Sequence, residues 1–250
     1  GKYALFVMLF TMATAFGAGN LIGRKFGMNW KLTNLLAVST AICGGSAVAA
    51  VGPVIKAKDE DIAYAISSTF IFDILTVVVF PWIGMALGMS DMGYGLWTGT
   101  AVNDTSSVVA AGYAFSELAG NTAVIVKLTR TLFIIPYVLM FSVITERLEA
   151  RAEGIQGRAP INWKKIFPFF IVFFLVVVAL RSTGIIPEVA VPPLSKTSKF
   201  LMITALSAIG LKTSYGDIKN IGFKPMILGF ITDTLVVFVS LGIQILTAKF

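Results

Sequence analysis

The chain has 250 residues, of which 56% are apolar and 13% charged, and its mean hydropathy is +0.85. A soluble domain carries about 25% charged residues, so this composition excludes an ordinary water-soluble protein and indicates an α-helical membrane protein. The net charge of +7 comes from Lys and Arg residues that fall mainly between apolar stretches, which argues against a nucleic-acid partner. With one cysteine and no histidine, we expect no disulfide, metal site or cofactor.

Apolar stretches follow one another along the whole chain, and a membrane-spanning helix needs about 20 such residues. Six stretches meet or nearly meet this length: Tyr3–Ile22, Ile62–Met89, Asn121–Ile144, Ile166–Leu180, Phe200–Leu211 extended toward Ala190, and Pro225–Ala248. Two more, Leu32–Ile55 and Tyr94–Leu118, are rich in Gly, Ser, Thr and Asn, and we interpret them as discontinuous helices inside the bundle. If every segment crosses, the basic loop Glu146–Lys165 is cytoplasmic; a re-entrant hairpin would change that assignment.

The first discontinuous segment centres on two glycines. Gly44 and Gly45 permit a break in the helix, and Ser46 could then cap a new half-helix. The first N–H groups of that half-helix would favour an anion. The alternative is that these small residues only allow close helix packing. Cys43 is interpreted as a packing residue, because no histidine is present to activate it.

The second discontinuous segment contains a run of polar residues, from Thr98 to Ser107, inside an otherwise apolar stretch. At membrane depth such a run must line a cavity or pair within the bundle. Asp104 could hold a coupling ion or a proton. Alternatively, Asn103 or Asp104 caps a half-helix, or the run is a loop outside the membrane.

Four ionisable residues lie within the apolar spans. Lys127 and Arg130 are three residues apart and share a helix face, so they could receive an anion or pair with Asp104; snorkelling to the interface is the alternative. Asp73 falls near the middle of its span and Asp233 about two turns into the last one. Either carboxylate could be functional or could bridge to the two cations.

Several motifs together resemble the YeiH family, to which sulfate export has been ascribed. They are Ile42–Ala50, continuing through Pro53–Ala57; Thr98-Gly99 followed by Val108–Gly112; Val126–Arg130 followed by Pro136; and Ala208–Thr213 with Gly222–Pro225. The resemblance implies an inner-membrane transporter with inverted repeats, distantly like bile-acid symporters and cation–proton antiporters. Asn103 stands where that family usually has His, which argues against a proton relay there. Family members are longer, implying that about 90 residues precede Gly1.

We therefore expect one all-α domain over residues 1–250, a polytopic bundle with inverted repeats and discontinuous helices in the bacterial inner membrane. It would export or exchange a small anion such as sulfate, a sulfonate or a carboxylate. The predicted substrate contacts are Gly44, Gly45, Ser46, Thr100, Asn103, Asp104, Thr105, Ser106, Lys127 and Arg130, and the coupling-ion candidates are Asp104 and Asp73.

Replacing Lys127 or Arg130 by Ala should abolish anion uptake with folding largely intact. The alternatives are a sodium- or proton-coupled transporter centred on an intramembrane Asp, and a passive anion channel. Enzyme motifs are missing from the sequence, so we expect no enzymatic activity. Membrane lipid is an expected partner, and a homo-oligomer is left open.

Overall fold

The computed structural model describes residues 2–152, 169–185, 187–194, 196–197, 200–201, 204 and 222–247. Within this part of the chain the structure is helical with short turns and contains no strand, which confirms the predicted all-α membrane fold. The helices are α1 (Lys2–Lys25), α2 (Trp30–Ala41), α3 (Gly45–Val54), α4 (Asp59–Ala86), α5 (Asp91–Ala101), α6 (Thr105–Phe115), α7 (Glu117–Thr131), α8 (Ile134–Ala152), α9 (Phe169–Ser182) and α10 (Lys224–Leu246), with one 3-10 turn, Glu188–Ala190.

Among the described residues, four helical stretches are long and apolar enough to cross a membrane. They are Tyr3–Lys25, Asp59–Ala86, Glu117–Arg151 and Lys224–Leu246, and each matches a predicted span. The predicted span Ile166–Leu180 corresponds to α9, which is only 14 residues long. The predicted span Phe200–Leu211 lies almost wholly outside the described residues.

The long stretch Glu117–Arg151 is interrupted where α7 ends and α8 begins, at Leu132 and Phe133. Pro136 explains the interruption. It has no N–H to donate, and in a regular helix its ring would clash with the carbonyl of the residue four positions earlier, Leu132. The helix is thus interrupted within the turn that precedes Pro136.

The segment formed by α2 and α3 is a re-entrant hairpin. Lys31, at the beginning of α2, donates from Nζ to the backbone oxygen of Lys56, just after the end of α3, at 2.6 Å. A straight passage through these residues would separate the two by about 37 Å at a rise of 1.5 Å per residue. We call Trp30–Val54 hairpin 1, and its tip is Ile42-Cys43-Gly44.

The segment formed by α5 and α6 folds back in the same way. Ser116, after the end of α6, donates from Oγ to Asp91 Oδ1 at the beginning of α5, at 2.8 Å. The rings of Tyr94 and Phe115 also stack, with centroids 4.0 Å apart. We call Asp91–Phe115 hairpin 2, and its tip is Val102-Asn103-Asp104. The assumption that all segments cross the bundle is therefore wrong.

The two hairpins enter the bundle from opposite ends. Helix α4 begins at Asp59, next to the base of hairpin 1, and its far end packs on hairpin 2, where a Cβ on Gly84 would lie 2.3 Å from the Tyr94 ring. We call the end at the base of hairpin 1 the basic end, because it carries Arg24, Lys25, Lys31, Lys56 and Lys58. If every predicted segment crossed the membrane, Lys56 and Lys58 would lie on the opposite side from Arg24, Lys25 and Lys31. By the positive-inside rule, the revised arrangement predicts a cytoplasmic basic end.

Small residues let hairpin 2 lie directly against α7. A Cβ added to Gly95 or Gly99 would be 2.6 Å from the oxygen of Ala119 or 2.8 Å from that of Ala123, closer than side chains tolerate. Such close approach of backbones is typical of helix packing in membranes. It places the polar face of α7 beside both hairpin tips.

Accessibility of introduced cysteines tests the hairpin topology. In a background free of other cysteines, we expect Lys31→Cys and Lys56→Cys to react with a membrane-impermeant maleimide from the same side of the membrane. We expect Asp91→Cys to react only from the other side, which makes it the internal control. Labelling of the two Lys positions from opposite sides would show that hairpin 1 crosses.

Candidate functional site

The tips of the two hairpins contact each other at the centre of the bundle. Gly44 has a φ of +63°, in the left-handed region that favours glycine. A Cβ at Gly44 would lie 3.5 Å from the backbone nitrogen of Asp104 and 3.6 Å from the carbonyl carbon of Asn103. The helix breaks expected near Gly44 and Asn103 are thus both present, and they are adjacent in space.

Four helix ends therefore meet at one place. Helices α2 and α5 end at the tips with carbonyl groups that have no partner within the helix, while α3 and α6 begin there with N–H groups that have no partner within the helix. Each end carries a partial charge of about half an elementary charge, negative for α2 and α5 and positive for α3 and α6.

Lys127 and Arg130 occupy the negative helix ends. Lys127 Nζ donates to the oxygens of Ile42 at 2.8 Å and Val102 at 3.1 Å, and so joins the two tips. Arg130 Nε donates to Ala41 O at 2.7 Å, Nη1 to Thr100 O at 2.7 Å, and Nη2 to Thr40 O. Each cation thus bonds carbonyls from both hairpins.

This placement differs from snorkelling to the interface, because Lys127 and Arg130 are both 0% exposed. It also changes the expected effect of substitution. Their described hydrogen bonds from Nζ and the guanidinium go to backbone carbonyls, so removing either side chain should loosen the hairpin tips and not only weaken anion binding. The sequence spacing placed the two cations on one face of a helix, but nothing in the sequence indicated that backbone carbonyls are their partners.

Two carboxylates lie at the N-terminal end of α6, the second helix of hairpin 2. Asp104 caps α6, since its Oδ2 accepts from the N–H groups of Ser106 at 2.7 Å and Ser107 at 3.2 Å. Asp73, midway along α4, accepts from Asn103 N through Oδ1 at 3.0 Å and from Asp104 N through Oδ2 at 3.1 Å. The contacts of Asp104 match the alternative in which it caps a half-helix.

Helix α3 begins differently. Its N-cap is Gly44, which has no side chain to accept from the first N–H groups. Gly45 and Ser46 line a cavity, so this helix N-terminus opens onto free space. The two hairpins are therefore not equivalent, because the start of α6 is capped by a carboxylate and the start of α3 has no side-chain cap.

The cavity has a volume of about 390 Å³ and lies between hairpin 1, hairpin 2 and α4. Its lining residues are Gly45, Ser46, Ile66, Thr69, Phe70, Asp73, Val77, Asp104, Ser106, Ser107 and Ala110. Gly45, Ser46, Asp104 and Ser106 were predicted as substrate contacts and Asp73 as a coupling-ion candidate. Gly44, Asn103 and Thr105 lie at the tips or beside them without lining the cavity. Thr100, Lys127 and Arg130 are buried behind the tips.

A further contact of the site joins α10 to both hairpins. Asp233 Oδ1 accepts from Thr40 Oγ1 at 2.6 Å and from Asn103 Nδ2 at 2.9 Å. Asp233 is 1% exposed and Asn103 is 0% exposed. The sequence offered one signal for this role, an Asp inside an apolar span, but nothing in it indicated contact with both hairpins.

Comparison with known proteins assigns the chain to a sequence family. The model of the family of conserved hypothetical protein 698 matches residues 1–229. A UPF0324 membrane protein of Clostridium tetani is 58% identical over 98% of this chain and 73% of its own length. UPF0324 membrane proteins of Streptococcus pneumoniae R6 and Fusobacterium nucleatum are 41% and 35% identical, over 100% and 98% of this chain and 75% of their own lengths. No solved structure matches the chain.

Removal of Arg130 tests its structural role. We expect Arg130→Ala to lower the free energy of unfolding, by about 1–3 kcal/mol for each buried carbonyl at the tips that is left without a donor. Thermal unfolding of the purified full-length protein measures the change. Arg24→Ala, at an exposed arginine of the basic end, is the matched control and should unfold like the wild type. Equal stability of all three proteins would contradict the role.

Proposed function

Because the chain belongs to the family of conserved hypothetical protein 698, the YeiH family, whose matched relatives are named membrane proteins, we propose that it is a secondary transporter. It moves a small solute by alternating access, and the solute binds in the cavity between the hairpin tips. The observation that supports this most directly is the meeting of two opposed re-entrant hairpins beside a cavity whose lining includes Ser and Asp side chains. Broken helices at membrane depth are the usual way in which transporters build a solute site.

The substrate class that we propose is a small anion such as sulfate, a sulfonate or a carboxylate. The start of α3 supports this choice, since its first N–H groups have no side-chain cap and Gly45 and Ser46 line the cavity. Ser106 and Ser107 add hydroxyl donors on the facing wall. Lys127 and Arg130 assist indirectly, because they offset the negative ends of α2 and α5, which would otherwise repel an anion.

A cation-coupled transporter is the second candidate, and the cavity lining favours it. Asp73 and Asp104 line the cavity, whereas its described lining includes no Lys or Arg. Both carboxylates also accept backbone N–H groups, which offsets part of their charge. A sodium ion or a proton that accompanies the solute would offset the rest. In this candidate Asp104 or Asp73 carries the coupling cation.

We place the protein in the bacterial plasma membrane with the basic end in the cytoplasm. The positive-inside rule supports this orientation, and the opposed hairpins then open one toward each side of the membrane. A passive channel would show continuous conductance without saturation. Counterflow of labelled solute in proteoliposomes, which requires a carrier, separates the two.

Ligand-dependent thermal stabilisation of the full-length protein tests the substrate class. A ligand that binds only the folded protein adds about 2.7 kcal/mol of stability at a hundredfold excess over its Kd. We expect sulfate, an organic sulfonate or a carboxylate to stabilise the wild type, and Ser46→Ala to weaken the effect. Thr129→Ala, on the outer face of α7, is the control. Stabilisation by none of these anions would contradict the anion site.

Asp104→Asn separates the two candidates. Asn caps a helix about as well as Asp, so this change removes the charge and retains the cap. The anion candidate predicts that Asp104→Asn binds the anion as tightly as the wild type or more tightly. The cation-coupled candidate predicts that sodium- or pH-dependent uptake into proteoliposomes is lost.

A further inference from the structure

The charges around the hairpin tips do not balance. Asp73, Asp104 and Asp233 surround the tips together with Lys127 and Arg130, so there is one more carboxylate than there are cations. Four of these five residues are at most 1% exposed. Asp104 is partly exposed and lines the cavity, and the described hydrogen bonds of the Lys127 ammonium and the Arg130 guanidinium go to backbone carbonyls. A fully buried carboxylate with few donors is therefore costly in its ionised form.

Of the three carboxylates, Asp233 has the fewest hydrogen-bond donors that would offset a negative charge. Its Oδ1 accepts from a hydroxyl, Thr40, and an amide, Asn103, and among the described residues no Lys or Arg forms an ion pair with it. Asp73 and Asp104, by contrast, each accept two backbone N–H groups at the start of a helix. A negative charge on Asp233 would therefore be offset less by hydrogen-bond donors than one on Asp73 or Asp104.

Asn103 gives an independent indication. Its Oδ1 is buried without a hydrogen-bond partner, although its Nδ2 donates to Asp233. A carboxylic acid and a carboxamide pair through two parallel hydrogen bonds, amide N–H to acid oxygen and acid O–H to amide oxygen. Only the first is present, and an ionised carboxylate, which has no proton to donate, cannot provide the second.

The opposite amide orientation leads to the same requirement. If the Asn103 side chain were turned by a half-turn, its oxygen would face Asp233 Oδ1 at the 2.9 Å now occupied by the N–H bond. Two acceptors at that distance need a proton between them. The turned orientation therefore also requires a proton on Asp233.

We propose that Asp233 is a proton-binding group that pairs with Asn103 in its acid form and reports its protonation state to both hairpin tips. On deprotonation the Oδ2–H bond breaks, the electron pair remains on Asp233, and the proton passes to solvent. The Asn103 oxygen then loses its donor, while Thr40 of hairpin 1 and Asn103 of hairpin 2 face a full negative charge. The hairpins are thus linked through a group whose charge changes.

The ionisable groups that face Asp233 come from two helices. Helix α4 contributes Asp73, whose charge opposes ionisation of Asp233, and α7 contributes Arg130, whose charge favours it. Helices α1 and α2 carry no ionisable side chain at the level of Asp233, and those of α5, Asp91 and Tyr94, lie at its far end. Protonation of Asp233 therefore responds to whatever binds near Asp73 in the cavity, which is how a proton could be coupled to a solute.

Infrared difference spectroscopy tests the protonation directly in the full-length protein reconstituted in lipid. We expect a pH series to show a carboxylic-acid C=O band that Asp233→Asn removes. Asn103→Leu should retain the band and shift it to higher frequency, because the acid loses its amide partner. Asp91→Asn, at the opposite end of hairpin 2, is the matched control and should leave the band unchanged.

The substitution Asp233→Asn should fold, since its amide can donate to Asn103 and accept from Thr40. Asn103→Leu provides a second test if it does not. A band unaffected by both substitutions would overturn the assignment. The inference takes its physiological meaning from the proposed transport function, but the spectra need no transport. A missing band together with normal solute counterflow would therefore refute only the role of Asp233.

Discussion

The structure depends on how the carbonyl ends of two helices are satisfied inside an apolar bundle. Helices α2 and α5 both stop at the centre, where water is scarce and each unpaired carbonyl would be costly. Lys127 and Arg130 supply charged donors to carbonyls of both hairpins at once. One turn of α7 thereby holds two chain reversals together, and the close contact of Gly95 and Gly99 with α7 makes that possible.

Once the carbonyl ends are satisfied, the N-terminal ends determine the character of the cavity. The start of α6 is neutralised by Asp104 and Asp73, while the start of α3 has no side-chain cap and opens onto the cavity. The same centre thus contains a wall that favours an anion and carboxylates that favour a cation. Under the proposed function, a solute that moves together with a proton or a metal cation would satisfy both. Asp233 adds a carboxylate that contacts both hairpins.

The sequence predicts where the helices break, but it does not determine whether each broken segment crosses the membrane or turns back. Gly44 and the polar run from Asn103 located both helix breaks, and Pro136 located the interruption between α7 and α8. The sequence left the hairpin topology open. A broken segment as long as a full crossing has the same hydropathy whether it crosses the membrane or turns back. The evidence for turning back is tertiary, such as Lys31 reaching the carbonyl of Lys56.

The roles of the buried charges were only partly predictable for a similar reason. The spacing of Lys127 and Arg130 and their apolar surroundings allowed either an interior position or snorkelling to the interface, and the structure shows the interior position. Their partners are backbone carbonyls, which every residue carries, so the sequence contains no signal for them. Asp233 likewise becomes informative only when Thr40 and Asn103, each far from it in the chain, are brought to the same oxygen.

A cryo-electron microscopy map of the full-length protein in a lipid nanodisc would show directly whether the two hairpins are re-entrant. We expect both hairpins to turn back before they reach the opposite membrane face. Their tips should meet near the midplane, with Lys127 in contact with both. A map in which either Trp30–Val54 or Asp91–Phe115 crosses from one face of the membrane to the other would contradict it.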